Sequence, residues 1–262
     1  MSFWSTLLAE LRKTATLPAS WVAGTVTLLG SAGITVLNAI GTRAALDAGA
    51  PESRSFVSVF ETGYAAVPLG TVGAVVIGVV AMSSEYAANS TDAGSGRQVT
   101  ATLAASPRRI ALLGAKALTV ALFVALTAAV SIPASVGVAR LIIGGDASEP
   151  VALDVALVRS LGATLYWTLT GLIAFAITVL ARSGIVPLVV LIANSSLVSV
   201  SMLLTNITPL AHWLPDLAGR RLFGGLSTVE GGLDAGPGAL VMAAWTLGLL
   251  AVAGVVFSRR DA

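Results

Sequence analysis

Few residues in this chain could carry chemistry, and their spacing excludes most reactions. His212 is the single histidine and cysteine is absent, so neither a multi-histidine nor a thiolate metal site can be assembled. A phosphate-binding loop needs a lysine directly after a glycine. Lys13 follows Arg12 and Lys116 follows Ala115, so ATP hydrolysis in the P-loop manner is excluded. Gly94-Ser95-Gly96 has the opening of a dinucleotide fingerprint, but no strand precedes it and the third glycine is missing. A hydrolase would require a Ser/His/Asp set or a metal cluster. His212, beside Trp213, reads instead as an interfacial side chain. The chain is therefore expected to be no enzyme, with no metal or cofactor of its own.

Two residue patterns remain. Asn194, Ser201, Thr205 and Thr208 are seven, four and three residues apart, with Ser195 and Ser199 adjoining. On a continuous helix they share one face. Polar groups in hydrocarbon need partners or water, so that face would line a substrate path or bond to neighbouring helices. Ala66, Gly70, Ala74 and Gly78 recur every four residues and form a ridge that lets another helix approach closely. The neighbour would belong to the same subunit or to a dimer partner. Pro68 predicts a kink at the outer end of this stretch.

The elements that carry these residues follow from composition. Of 262 residues, 56% are hydrophobic and 11% charged, against about 25% charged in soluble domains. So few charges cannot cover a water-facing surface, and the solvent must be partly hydrocarbon. A spanning helix needs roughly 20 apolar residues. Six stretches qualify: Trp21–Gly41, Tyr64–Met82, Leu112–Ala139, Leu161–Ala181, Ile185–Thr205 and Gly238–Phe257. The expected fold is all-α, one permease-like domain over 1–262, with six spans and both termini on one side. The first stretch lacks a cleavage site and is expected to be retained. The spans so drawn contain no Asp or Glu, and Lys116 is their only Lys or Arg, placed to snorkel toward headgroups. Carboxylate-free spans argue against an ion-coupled transporter.

Arginine and lysine set the orientation. With cytoplasmic termini, inner segments hold Arg12, Lys13, Arg97, Arg108, Arg109, Lys116, Arg182, Arg259 and Arg260. Outer segments hold only Arg43, Arg54, Arg140, Arg159, Arg220 and Arg221. The basic pI of about 9.4 reflects this membrane-face distribution, with no nucleic-acid binding implied. Residues 1–20 read as an interfacial amphipathic helix, with Trp4, Leu7, Leu8 and Leu11 on one face and Glu10, Arg12 and Lys13 away from it. Pro18 permits the turn into the bilayer. Residues 83–110 form the longest inner loop, with a short helix expected over Gln98–Ala105 before Pro107. The outer segment 206–237 is rich in Gly and Pro yet keeps Leu210, Trp213, Leu214, Leu217, Leu222 and Phe223. Short helices packed against the outer leaflet are expected there.

With that topology, the chain resembles the membrane permeases of ATP-binding-cassette exporters, specifically the type-two six-span class. That class includes small bacterial permeases for antibiotic resistance and peptide immunity. The likeness rests on three features. Glu10 to Lys13, running through Leu17-Pro18-Ala19-Ser20-Trp21, is similar to the family's connecting helix entering its first span. Glu85-Tyr86, Arg97, Leu103, Pro107-Arg108-Arg109 and Lys116 follow the family's inner-loop pattern. Phe257-Ser258-Arg259-Arg260-Asp261 resembles its basic C-terminus. The polar stretch Asn89–Gly96 departs from the family, which has a shorter Gly-Thr link there.

The resemblance implies a location in the bacterial inner (plasma) membrane and a second permease copy or sibling permease. It further implies separate ATPase subunits that bind ATP and Mg. The loop would form a coupling helix docked on the ATPase, with Glu85, Tyr86, Arg97, Arg108 and Arg109 contacting it or bracing the loop. Headgroup anchoring is the competing role for the arginines. An amphipathic or hydrophobic cargo, such as a peptide antibiotic or drug, would cross between the permeases. An ion-coupled transporter or channel, or a non-transporting scaffold or sensor, are the alternatives.

Overall fold

A computed structural model describes residues 2–50, 58–86, 108–144, 151–196, 199–227 and 230–259. Most of those residues are helical, with no strand among them. The helices are α1 (Phe3–Thr16), α2 (Pro18–Asp47), α3 (Val59–Tyr64), α4 (Gly70–Tyr86) and α5 (Arg109–Ile143). They continue as α6 (Leu153–Ala181), α7 (Ile185–Ser196), α8 (Val200–Thr205), α9 (Pro215–Ala218) and α10 (Ala235–Arg259). Short 3-10 turns occupy Val67–Leu69, Pro209–Trp213 and Arg220–Ser227.

Local chemistry sets the boundaries. Ser2 caps α1, its hydroxyl accepting from the Ser5 amide at 3.2 Å. Pro18 stands at the first turn of α2, where its missing N–H costs no helical bond. Ser58 caps α3 by accepting from the Glu61 amide at 3.0 Å. Pro68 sits in the 3-10 turn that divides α3 from α4, so the expected kink is present. Arg182 closes α6 in the left-handed conformation at φ 52°.

Five stretches are long and apolar enough to cross a membrane: Pro18–Asp47, Val59–Tyr86, Arg109–Ile143, Leu153–Ala181 and Ala235–Arg259. The expected span Ile185–Thr205 is not one continuous helix. α7 ends at Ser196, and Ser199 caps a fresh start at α8 by accepting from the Met202 amide at 3.2 Å. Serine and asparagine favour caps over helix interiors because their side chains compete for backbone groups.

Cross-contacts fix the helix directions. Tyr86 Oη donates to the Val179 carbonyl at 3.4 Å, and Arg109 Nη1 donates to the Phe257 carbonyl at 3.4 Å. Lys116 meets both Glu10 and Glu85. The ends of α4, α6 and α10 therefore gather with α1 around the start of α5. At the far end, Arg43 Nη1 reaches the Ile143 carbonyl at 2.8 Å and Tyr64 Oη donates to the Arg159 carbonyl at 2.7 Å. α6 and α10 run the same way, and residues 182–234 carry the chain back between them.

The core lies around α4 and α6, which are buried over most of their apolar length, while α2, α5 and α10 bury only a third of theirs or less. Gly70, Ala74 and Gly78 face α6. A methyl on Gly70 would overlap the Trp167 indole, and one on Gly78 would overlap the Gly171 carbonyl. The small-residue ridge thus packs within the subunit. Ala66 is buried but lies in the turn ahead of the kink, outside the helical repeat.

The inward face of α2 is unusual in being polar. Ser20, Thr27, Ser31, Thr35 and Thr42 are buried, whereas Trp21, Val26, Leu29 and Leu37 point outward. Thr27 Oγ1 donates to the Ala23 carbonyl at 2.8 Å, and Thr35 Oγ1 donates to the Gly63 carbonyl at 3.4 Å. Hydrocarbon gives helices no hydrophobic reason to associate, so small hydroxyl residues that pack closely and bond occupy the contact.

Candidate functional site

The clearest constellation lies at the α1 end of the bundle. Lys116 Nζ donates to Glu10 Oε2 at 2.6 Å and to Glu85 Oε1 at 2.6 Å. Lys13 Nζ donates to the same Glu85 oxygen. Glu85 and Lys116 side chains are 1% and 2% exposed, Glu10 8% and Lys13 22%. Among the described residues, two carboxylates are balanced by two ammonium groups. Balance is required, because the idealised cost of burying one unpaired ion is of order 20 kcal/mol.

Three segments supply these groups. α1 brings Glu10 and Lys13, the last turn of α4 brings Glu85, and the second turn of α5 brings Lys116. α5 has 35 residues, about 52 Å at 1.5 Å per residue, against about 30 Å of hydrocarbon. Register places the cluster along this excess. Arg43 pairs with Ile143 and Thr35 contacts Gly63, which itself abuts Ser135. Extended down the two parallel helices, that offset sets Lys116 just below Pro18, level with the corner between α1 and α2.

This corrects one expectation. Lys116 does not snorkel to headgroups; it is buried between two acids. α1 also turns a face to the bundle that the sequence reading did not describe. Thr6, Leu7, Glu10 and Thr14 point inward, while Trp4 and Leu8 stay exposed. On the inward side Glu10 and Lys13 meet Glu85 and Lys116. A sequence signal did exist: both lysines of a chain with thirteen arginines stand in this cluster. Lysine offers a compact point charge with three donors, which suits a position between carboxylates from different helices.

The other loop residues divide. Glu85 is committed to the buried cluster, and Tyr86 donates across to α6. Arg109 reaches the end of α10, whereas Arg108 is exposed at the start of α5. Arg97 and the helix expected over Gln98–Ala105 lie outside the described residues.

At the far end, the residues expected on one polar face are separated by the break between α7 and α8. Asn194 Nδ2 donates to Asp216 Oδ2 at 3.0 Å, and Ser199 Oγ donates to the same oxygen at 3.4 Å. Asn194 Oδ1 accepts from the Ser201 amide at 3.4 Å. Thr205 Oγ1 bonds the Met202 carbonyl at 2.7 Å, and Thr208 caps the 3-10 turn at Pro209–Trp213. These residues hold a broken helix and the returning segment together. Asp216, assigned to the outer segment from sequence, was not anticipated as their partner.

Over its described residues the segment 206–237 forms short helical turns at Pro209–Trp213, Pro215–Ala218 and Arg220–Ser227, and it packs on α6 and α10. Tyr166 Oη donates to the Asp216 carbonyl at 3.2 Å, and Trp245 Nε1 donates to the Trp213 carbonyl at 2.8 Å. Nearby, the Arg159 guanidinium lies 4.8 Å from the Tyr64 ring and 5.3 Å from the Phe60 ring, with Glu61 at 3.7 Å. His212 stands in the turn beside Trp213, and no group of three His, Cys, Asp or Glu able to hold a metal occurs among the described residues.

Taken together, the fold is an all-helical bundle with five membrane-length apolar helices and a buried charge cluster at one end. Comparison of the chain with family models finds no match, and comparison with curated proteins finds none.

Proposed function

We propose that the chain is the membrane-spanning permease subunit of an ATP-binding-cassette exporter, moving an amphipathic or hydrophobic substrate with energy from a separate ATPase. The observation that carries this reading is the cluster of Glu10, Lys13, Glu85 and Lys116. It joins the helix before the first span to the residues that open the inner loop and to the helix that follows it. All four lie within the motifs on which the family resemblance rests, Glu10 and Lys13 in the connecting helix and Glu85 and Lys116 at the two ends of the loop pattern.

A buried, bonded cluster suits mechanical coupling. A push received by residues 87–107 would arrive at Glu85 and pass to α1 and α5 together, because one carboxylate oxygen holds two lysines. Under this reading Glu85 and Tyr86 brace the loop, and Arg97 and Arg108 are the candidates for ATPase contact. α7 and α8 together supply a sixth crossing, both termini are cytoplasmic, and the membrane is the bacterial plasma membrane. A second copy or sibling permease completes the path, and ATP and Mg bind in the partner.

The test is co-purification with a candidate ATP-binding-cassette ATPase, followed by substrate-stimulated hydrolysis in liposomes. Docking that depends on Arg97 and Arg108, with hydrolysis that rises with cargo, is expected. Transport by the purified chain alone, or docking indifferent to loop substitutions, would remove the reading.

A further inference from the structure

A groove of about 250 Å3 lies between α2 and α5, open to the outside of the bundle and lined by Trp21, Gly24, Leu28, Phe123, Leu126 and Val130. Trp21 and Leu126 are more than half exposed. The walls are apolar, apart from hydroxyls such as Ser20 and Thr25 on α2. We infer that this groove holds one acyl chain of an anionic phospholipid whose headgroup sits by Arg12.

Length, position and charge argue for that occupant. From Ser20 to the level of Val130 the helices rise about ten residues, or about 15 Å. That equals half of a hydrocarbon core about 30 Å thick, the reach of a single leaflet. The groove begins at the corner between α1 and α2, where Trp21 Nε1 donates to the Ala15 carbonyl at 2.7 Å. A tryptophan so tied, with its ring against the tail and its N–H at the polar level, marks the headgroup layer.

Arg12 lies one turn before Ala15 on α1. It is exposed, and its side chain has no acidic or hydrogen-bonding partner among the described residues. Its neighbours are already committed: Glu10 and Lys13 are held in the buried cluster. A phosphate-bearing headgroup supplies the missing anion.

The groove has room at Gly24, where an added Cβ would meet nothing within 4 Å. The experiment measures lipid retention by native mass spectrometry of the purified full chain. Phosphatidylglycerol and phosphatidylcholine with identical acyl chains are titrated in turn. Wild type should retain one phosphatidylglycerol with about fivefold preference over phosphatidylcholine, the scale of one arginine at a membrane surface.

Arg12→Gln should abolish the preference while leaving weak binding of both lipids. Gly24→Leu should remove the bound molecule in both titrations while leaving the melting temperature no lower than that of wild type. Retention by Gly24→Leu equal to wild type would overturn the assignment. So would a preference that survives Arg12→Gln, or a loss of dimer with no change in lipid count. None of these readings depends on ATPase binding or transport, so the result stands apart from the permease proposal.

Discussion

Lys116 and Glu85 meet at 2.6 Å with neither side chain more than 2% exposed, and each also holds a residue of α1. Breaking such a pair from one side leaves an uncompensated buried charge, which costs about 3–5 kcal/mol. Lys116→Met and Glu85→Gln should each destabilise the purified protein on that scale. The double variant Glu85→Leu with Lys116→Leu keeps Glu10 and Lys13 as a neutral remainder, so its loss should fall well below the sum of the single losses. Thermal unfolding in detergent supplies the double-mutant cycle. Strict additivity would show that the two groups do not share one network.

Close packing gives a second expectation. Gly78 abuts the Gly171 carbonyl, which belongs to the backbone of α6 and cannot swing aside. Gly78→Ala should therefore destabilise by about 1–3 kcal/mol through overpacking. Gly24→Ala, with open space around it, should be neutral or stabilising by up to about 1 kcal/mol through helix propensity alone. The contrast in melting temperature separates contact from propensity. Equal effects at the two glycines would contradict the packing of α4 on α6.

These cases show which parts of the fold were legible in sequence. Long apolar runs located five helices, because hydrocarbon burial depends on length and composition alone, but the drawn stretches fell short of the helix ends, most at Leu153 and Asp47, where the chain turns polar. The ridge of Gly70, Ala74 and Gly78 was legible because small residues at helical spacing have one physical use. The partner of Lys116 was not legible. Glu10 and Glu85 lie 106 and 31 residues away from it, and sequence periodicity carries no information across such distances. Span five misled for a related reason. Its apolar run is long enough, but serines and asparagine that read as one face of a helix instead cap a break, held by Asp216 from a later segment. The polar stripe on α2 could have been found, since Ser20, Thr27, Ser31, Thr35 and Thr42 repeat at four and seven residues. Periodicity of polar residues in an apolar helix points inward, opposite to the rule for water-soluble helices.

The break between α7 and α8 yields a third expectation. Asp216 accepts from Asn194 and Ser199, and hydrogen bonds to a charged acceptor contribute about 1.5–3 kcal/mol. Asp216→Ala should loosen the segment following α6 more than the bundle as a whole. Hydrogen exchange should rise in 185–227 while the core of α4 stays protected. Exchange that rises uniformly through the bundle would mean that Asp216 supports global stability instead of this one junction.

The last expectation concerns orientation, and the chain is suited to testing it because it contains no cysteine. Each introduced thiol is then the only one present, so labelling by a membrane-impermeant maleimide reports a single position. α1, the start of α5 and the end of α10 gather at one end of the bundle, and Arg43, Ile143 and Arg159 mark the other. Under the proposed orientation, the nine-to-six excess of basic residues puts the α1 end in the cytoplasm. Ser5→Cys and Arg108→Cys should stay unlabelled in intact cells and react after permeabilisation. Gly49→Cys and Glu230→Cys should react from outside. Should Glu230→Cys instead behave like Arg108→Cys, residues 182–234 would not return the chain across the bilayer, and α7 with α8 could not be a sixth crossing. Should all four report the opposite side, the crossing number would stand and the cytoplasmic docking of residues 87–107 would be lost, taking the coupling role of Glu85 with it.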